Sequence, residues 1–169
     1  MVILTPFSHG ITRRIMGEDL TPFDYVFCWL GNTDLLLSII KLIEDKMNLE
    51  HDVKEVGVQL ILLVEDSIRF YSSTLPNLYK FVLKQSQEFS TEALNGHQRT
   101  LRMRGRPKIV LARTYEEAIT IYNRYKDNTL GVITDVRFPL VEGGEKDGLA
   151  GIKLISAIPH PDFEKSWKA

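Results

Sequence analysis

A chain of 169 residues that is 44% hydrophobic and 25% charged carries enough apolar material for one globular domain, or one domain with an appendage. Its formal net charge of −1 excludes bulk electrostatic attraction as the means of holding nucleic acid or an anionic membrane. The lone cysteine, Cys28, cannot form an internal disulfide, and no Cys/His group has zinc spacing. The start, Met1-Val-Ile-Leu-Thr-Pro6, lacks a basic signal-peptide region, and runs such as 58–64 are too short to cross a bilayer, so the expected location is the cytoplasm.

The chain opens on an apolar strand, Val2–Thr5, followed by a short polar and helical stretch around Ile11–Met16. Tyr25–Leu30, aromatic and β-branched between Pro22 and Gly31, predicts a buried strand. Asn32 or Thr33 can cap a helix in which Leu35, Leu36, Ile39, Ile40, Leu42, Ile43 and Met47 recur at helical spacing. Val58–Val64 is almost wholly apolar, as a parallel strand covered on both faces should be.

A long helical region then runs from Ser67 to Arg104, with Pro76 expected to kink or restart it, since a proline costs a helix interior about 3 kcal/mol. Its apolar residues Tyr71, Leu75, Leu78, Val82 and Phe89 suit either a docking face or the core. Lys108–Ala112 predicts a strand, and Thr114-Tyr-Glu-Glu117 is a capping box that opens the helix Tyr115–Tyr125. Leu130–Thr134 is a fifth strand, a Gly-rich loop runs to Gly148, and Leu149–Ile158 is the last helix, stopped by Pro159. Strands and helices alternate five times, which predicts an α/β fold with a parallel sheet covered on both faces.

In such sheets function gathers where strand carboxyl ends meet their loops. Those ends hold Thr5, Glu65, Asp66 and Asp135. A single acid there can simply cap a helix or start a turn. Three together, after two very apolar strands, would repel one another unless a cation neutralises them. Mg²⁺ suits the set because it takes oxygen ligands and sits on one or two carboxylates plus phosphate and water. With the cation bound, Asp135 can attack a phosphoryl group and the Thr5 hydroxyl can hydrogen-bond one of its oxygens.

Leu62-Leu-Val-Glu65-Asp66-Ser67 resembles the end of the first strand in response-regulator receiver domains. Thr134-Asp135-Val-Arg-Phe-Pro139, followed by Asp147-Gly148, resembles the family's phosphoacceptor segment, and the βα unit between the two matches the family's order. The resemblance implies that Asp135 is the phosphoacceptor, that Glu65, Asp66 and Asp135 hold Mg²⁺, and that a histidine kinase or a small phosphodonor supplies the phosphoryl group. It implies a flavodoxin-like, doubly wound, five-stranded parallel sheet, and a signalling module rather than an enzyme. Val64-Glu-Asp-Ser-Ile-Arg-Phe-Tyr-Ser-Ser73 also looks like the start of the long helix in receivers attached to phosphoenolpyruvate/pyruvate-binding kinase-like domains.

The order of parts departs from the family. Residues 58–169 resemble the first half of a receiver, 51–57 read as a linker, and 1–50 resemble the second half, with Val2–Thr5 in the place of the fourth strand and Tyr25–Trp29 in that of the fifth. A circular permutant, a window across two tandem receivers, or a swapped homodimer each fits. The place of the family's phosphate-contacting Lys is held by Cys28, with Trp29 where a Pro is usual, while Tyr25 matches the switching aromatic. Phosphorylation then rests on Mg²⁺ alone. The alternative is a non-switching pseudo-receiver that serves as an interaction or dimerisation module.

Residues 99–108 hold five basic side chains and no acid, and Gly105-Arg106-Pro107 resembles the core of an AT-hook. DNA binding through Arg102–Lys108 is therefore a third reading, set against a helix end whose cations suit its C-terminus. The histidines His9, His51, His97 and His160 are isolated and polar-flanked, as surface residues are.

Overall fold

The computed structural model describes residues 1–6, 23–91 and 105–158, with side chains only as far as 87 in the second span. Apolar runs become strands where predicted: β1 (Val2–Pro6), β2 (Tyr25–Trp29), β3 (Leu60–Val64), β4 (Lys108–Ala112) and β5 (Thr129–Thr134). Helices α1 (Asp34–Glu50), α2 (Ile68–Thr91), α3 (Tyr115–Tyr125) and α4 (Ala150–Ala157) alternate with them. The helix predicted around Ile11–Met16, the last part of the region ending at Arg104, and Pro159 lie outside the described residues.

The five strands form two ladders rather than one sheet, and within each ladder they run parallel. β3 is central in β4-β3-β5, and β1 pairs only with β2. The expected single five-stranded sheet, with Val2–Thr5 beside Leu130–Thr134, is thus not formed by hydrogen bonds among the described residues. One physical reason lies on β2. The Cys28 N–H donates to Ser72 Oγ at 3.0 Å and the Tyr71 hydroxyl donates to the Val26 carbonyl, so α2 side chains close the edge of β2 that faces away from β1. Those bonds hold the β1–β2 pair against α2.

Alternation along β3 and β4 sorts the core into two faces. Leu63, Ile109 and Leu111 meet α1, α2 and β2, where Phe27, Leu35, Leu42, Tyr71 and Leu75 are buried. Leu62, Val64 and Ala112 face α3 and α4 with Ala118, Phe138 and Leu154. Helices therefore cover both sides of the three-stranded ladder. β5 is the thin edge of it, leaving Leu130 55% and Ile133 44% exposed.

α2 continues through Pro76 without a restart, and its Tyr71, Leu75 and Val82 belong to the core. α1 differs from its sequence pattern. The buried stripe is Leu35, Ser38, Leu42 and Asp45, while Leu36, Ile40 and Met47 face solvent. Asp45 turns inward because it has strong partners there. Arg106 grips it with two bonds, Nη2 to Oδ1 at 2.7 Å and Nη1 to Oδ2 at 3.0 Å. The Tyr79 hydroxyl (2.9 Å) and the Ile109 N–H (3.0 Å) donate to the same carboxylate. Lys108 Nζ lies 3.6 Å away and bonds Asp52 at 2.5 Å.

At α3 the capping box forms nearly as written. Thr114 Oγ1 accepts from the Glu117 N–H at 3.2 Å, and Glu117 reaches back to the Arg113 N–H at 2.8 Å, one residue before the usual position. The Gly-rich loop holds an unforeseen hairpin, β6 (Phe138–Pro139) against β7 (Lys146–Asp147). No helix among the described residues is long and apolar enough to cross a membrane.

Candidate metal and phosphoacceptor site

Both acid-bearing segments are fixed by continuation of the ladder past the last strand residue. The Glu65 N–H donates to the Ala112 carbonyl at 3.0 Å, and the Asp135 N–H donates to the Val64 carbonyl at 2.9 Å. Backbone bonds of this kind set the direction of each side chain before any ligand arrives. Glu65, Asp66 and Asp135 consequently converge, each offering one carboxylate oxygen within 4.8 Å of the others.

Local bonds tune the three acids differently. Glu65 Oε1 accepts the Ser67 N–H at 2.9 Å, which holds it at the entrance of α2. Burial pushes the Glu65 carboxyl above its usual range, and the charges of Asp135 and Asp66 push it the same way, against the Ser67 bond and Lys146. Asp135 Oδ1 accepts the N–H of Val136 at 2.7 Å and is otherwise exposed. The Asp66 side chain is only 10% exposed and bonds Lys146 Nζ at 2.6 Å through Oδ2. Its Oδ1 is buried with no hydrogen-bond partner among the described residues. A buried carboxylate oxygen left without a donor is costly unless a ligand completes it.

The donor set fits a divalent cation such as Mg²⁺, which accepts hard oxygen ligands and keeps its remaining positions for water or phosphate. Beside the acids lies a cleft of about 770 Å³, lined by Asp66, Arg113, Thr114, Glu117, Pro139 and Lys146 among others. Most of its lining comes from the start of α3 and from the hairpin segment.

Gly151 completes the back of the site. A Cβ there would lie 2.2 Å from the Asp135 carbonyl oxygen and 3.0 Å from Val136 Cα, and its N–H donates to the Val136 carbonyl at 3.0 Å. α4 therefore presses directly on the backbone that carries Asp135.

Thr5 is not brought into this group. It ends β1, opposite Cys28 in the other ladder, and is 4% exposed. Its hydroxyl lies near the Cys28 thiol, a weak partner, and makes no hydrogen bond of ordinary geometry among the described residues. Cys28 is buried in the core. A cation does stand at the acids, but it is Lys146 from the hairpin. Sequence reading missed it because the Lys lies in a loop, eleven residues beyond Asp135, with no motif spacing to mark it.

Arg106 and Lys108, the described part of the basic segment, are each 4% exposed and paired to acids. Arg106 thus presents no free guanidinium to a minor groove. His51 is on the surface as expected. No protein-family model matches the chain, and neither a curated protein nor a solved structure matches it.

Proposed function

We propose that this chain is a receiver-type phosphoacceptor module of two-component signalling, in which Glu65, Asp66 and Asp135 hold Mg²⁺ and Asp135 takes the phosphoryl group. The observation that carries the reading is the convergence of one carboxylate oxygen from each of Glu65, Asp66 and Asp135 within 4.8 Å, with Asp66 Oδ1 buried and without a hydrogen-bond partner among the described residues. A bound Mg²⁺ would supply positive charge against the acids and against the oxygens of the transferring group.

The residues account for the rest. An Asp135 carboxylate oxygen attacks phosphorus, the bond from phosphorus to the donor's leaving atom breaks, and that atom departs with the electron pair: the oxygen of acetate when the donor is acetyl phosphate, or the ring nitrogen of a phosphohistidine, which leaves as neutral imidazole when its ring is protonated. Asp135 itself gives up no proton, because it reacts as the carboxylate. Asp135 is exposed, and the cleft lined by Asp66 and Lys146 gives room for a small phosphodonor or a kinase histidine. The chain is then a substrate of phosphotransfer in the cytoplasm, with no nucleic acid or membrane partner. A second reading, a pseudo-receiver that binds partners without switching, is favoured by the burial of Cys28 where the family places its Lys.

The test is incubation with acetyl phosphate and Mg²⁺ followed by intact-mass measurement. The wild type gains one phosphoryl group and Asp135→Asn gains none. Equal uptake by both, or uptake by neither, removes the phosphoacceptor reading.

The same reading puts β1 on the open edge of β5, joining both ladders into the order β4-β3-β5-β1-β2. Its support is that, among the described residues, neither edge carries a neighbour, and the strands are similar in length at five and six residues. Because β1 is tied through β2 to α2, a second copy of the chain supplies the strand reciprocally. Sedimentation velocity should show a dimer that Ile133→Lys dissociates, and a monomeric wild type would count against it.

A further inference from the structure

The acid site carries a counter-ion of its own. From the 2.6 Å contact between Lys146 Nζ and Asp66 Oδ2, we infer that the Lys146 ammonium is a tethered competitor of the divalent cation, occupying Asp66 until a cation displaces it. The inference rests on the metal-site reading above and adds a residue that regulates it.

Three observations place Lys146 in that role. First, the hairpin that bears it is anchored on both arms. Phe138 is fully buried, the Glu116 N–H donates to the Leu140 carbonyl at 3.0 Å, and Asp147 bonds the Leu149 N–H at 2.7 Å and Lys153 Nζ at 2.5 Å. The Lys146 backbone is therefore held at the acids rather than visiting them. Second, the contact is uneven, because the Asp66 side chain is 10% exposed and that of Lys146 is 45% exposed. The acid cannot leave, whereas the ammonium can rotate into water.

Third, Asp66 keeps its other oxygen buried and, among the described residues, unpartnered, so one ammonium leaves the carboxylate half satisfied. A small dication sharing Glu65 and Asp135 satisfies more of it. A fixed ammonium in the free protein thus offsets the charge that would otherwise pull the cation in. Binding exchanges one cation for another, which weakens apparent affinity and stabilises the cation-free site.

Calorimetric titration with Mn²⁺ tests this on wild type, Lys146→Met, Lys146→Gln and Lys54→Met. The apparent Kd should fall about fivefold in both Lys146 variants, the scale of a partly exposed ion pair. Lys54→Met removes an equal charge at the same 45% exposure, from the Glu50 pair, leaves the hairpin untouched, and should leave Kd unchanged. An unchanged or weaker Kd in the Lys146 variants overturns the inference while leaving the metal site standing. Equal tightening in Lys54→Met also overturns it, by assigning the effect to the general field. If neither wild type nor the Lys146 variants bind Mn²⁺ in a manner that Asp135→Asn abolishes, the metal-site reading fails and takes this inference with it.

Discussion

Asp45→Ala should lower folding stability by about 3–5 kcal/mol, read as a shift of the urea midpoint at unchanged slope. The size follows from what is left behind. Arg106 and Lys108 are each 4% exposed, and Asp45 is the acid that Arg106 grips with two bonds. Removing the carboxylate strands a guanidinium in a low-dielectric site and takes the acceptor from the Tyr79 hydroxyl and the Ile109 N–H together. Burial and the charge of Asp45 already hold the Tyr79 hydroxyl far above the usual range. A domain whose total stability is about 5–15 kcal/mol loses a large part of it. Breaking the pair differs from replacing it, because Asp45→Leu combined with Arg106→Met removes both charges and should cost much less than Asp45→Ala. A loss under about 1 kcal/mol for Asp45→Ala would mean that Arg106 finds water or another acid.

Gly151→Ala should be nearly as damaging, and at the site itself. The new methyl would meet the Asp135 carbonyl oxygen at 2.2 Å, and both nearest neighbours are backbone, which cannot swing aside. Either α4 lifts, losing the Gly151 N–H bond to Val136, or Asp135 moves away from Glu65 and Asp66. Forced overpacking of this kind costs about 1–3 kcal/mol. The expected result is a lower urea midpoint together with loss of phosphoryl uptake on Asp135. Gly148→Ala is the control, since a Cβ there meets nothing within 4 Å and should change neither reading by much.

The elements were legible where one physical rule governs a whole segment. Leu60–Val64 and Lys108–Ala112 fold as strands because nearly every residue is buried there, and Thr114 caps α3 because its hydroxyl lies within reach of the Glu117 N–H. The acid triad was legible too, because strand ends position their side chains through ladder bonds that depend on order alone. What escaped depends on contacts distant in sequence. Asp45 and Arg106 lie 61 residues apart, so nothing in α1 marks Asp45 as buried and nothing in Gly105-Arg106-Pro107 separates a core ion pair from a DNA contact. β6 and β7 are two residues each, too short for any periodicity, and they carry Lys146 to the acids. The five apolar strands gave no sign of dividing into two ladders, because hydrophobic pattern reports burial and not which edge pairs with which.

The claim that Glu65, Asp66 and Asp135 form one cation site that makes Asp135 a phosphoacceptor is tested most directly by locating the phosphoryl group. Wild-type protein treated with acetyl phosphate is mapped by tandem mass spectrometry with Mg²⁺ and with Mg²⁺ removed by chelation. The expected result is a phosphoryl group on Asp135 that requires Mg²⁺ and disappears in Asp66→Asn. Phosphate on another residue, uptake indifferent to the metal, or no uptake at all would contradict it.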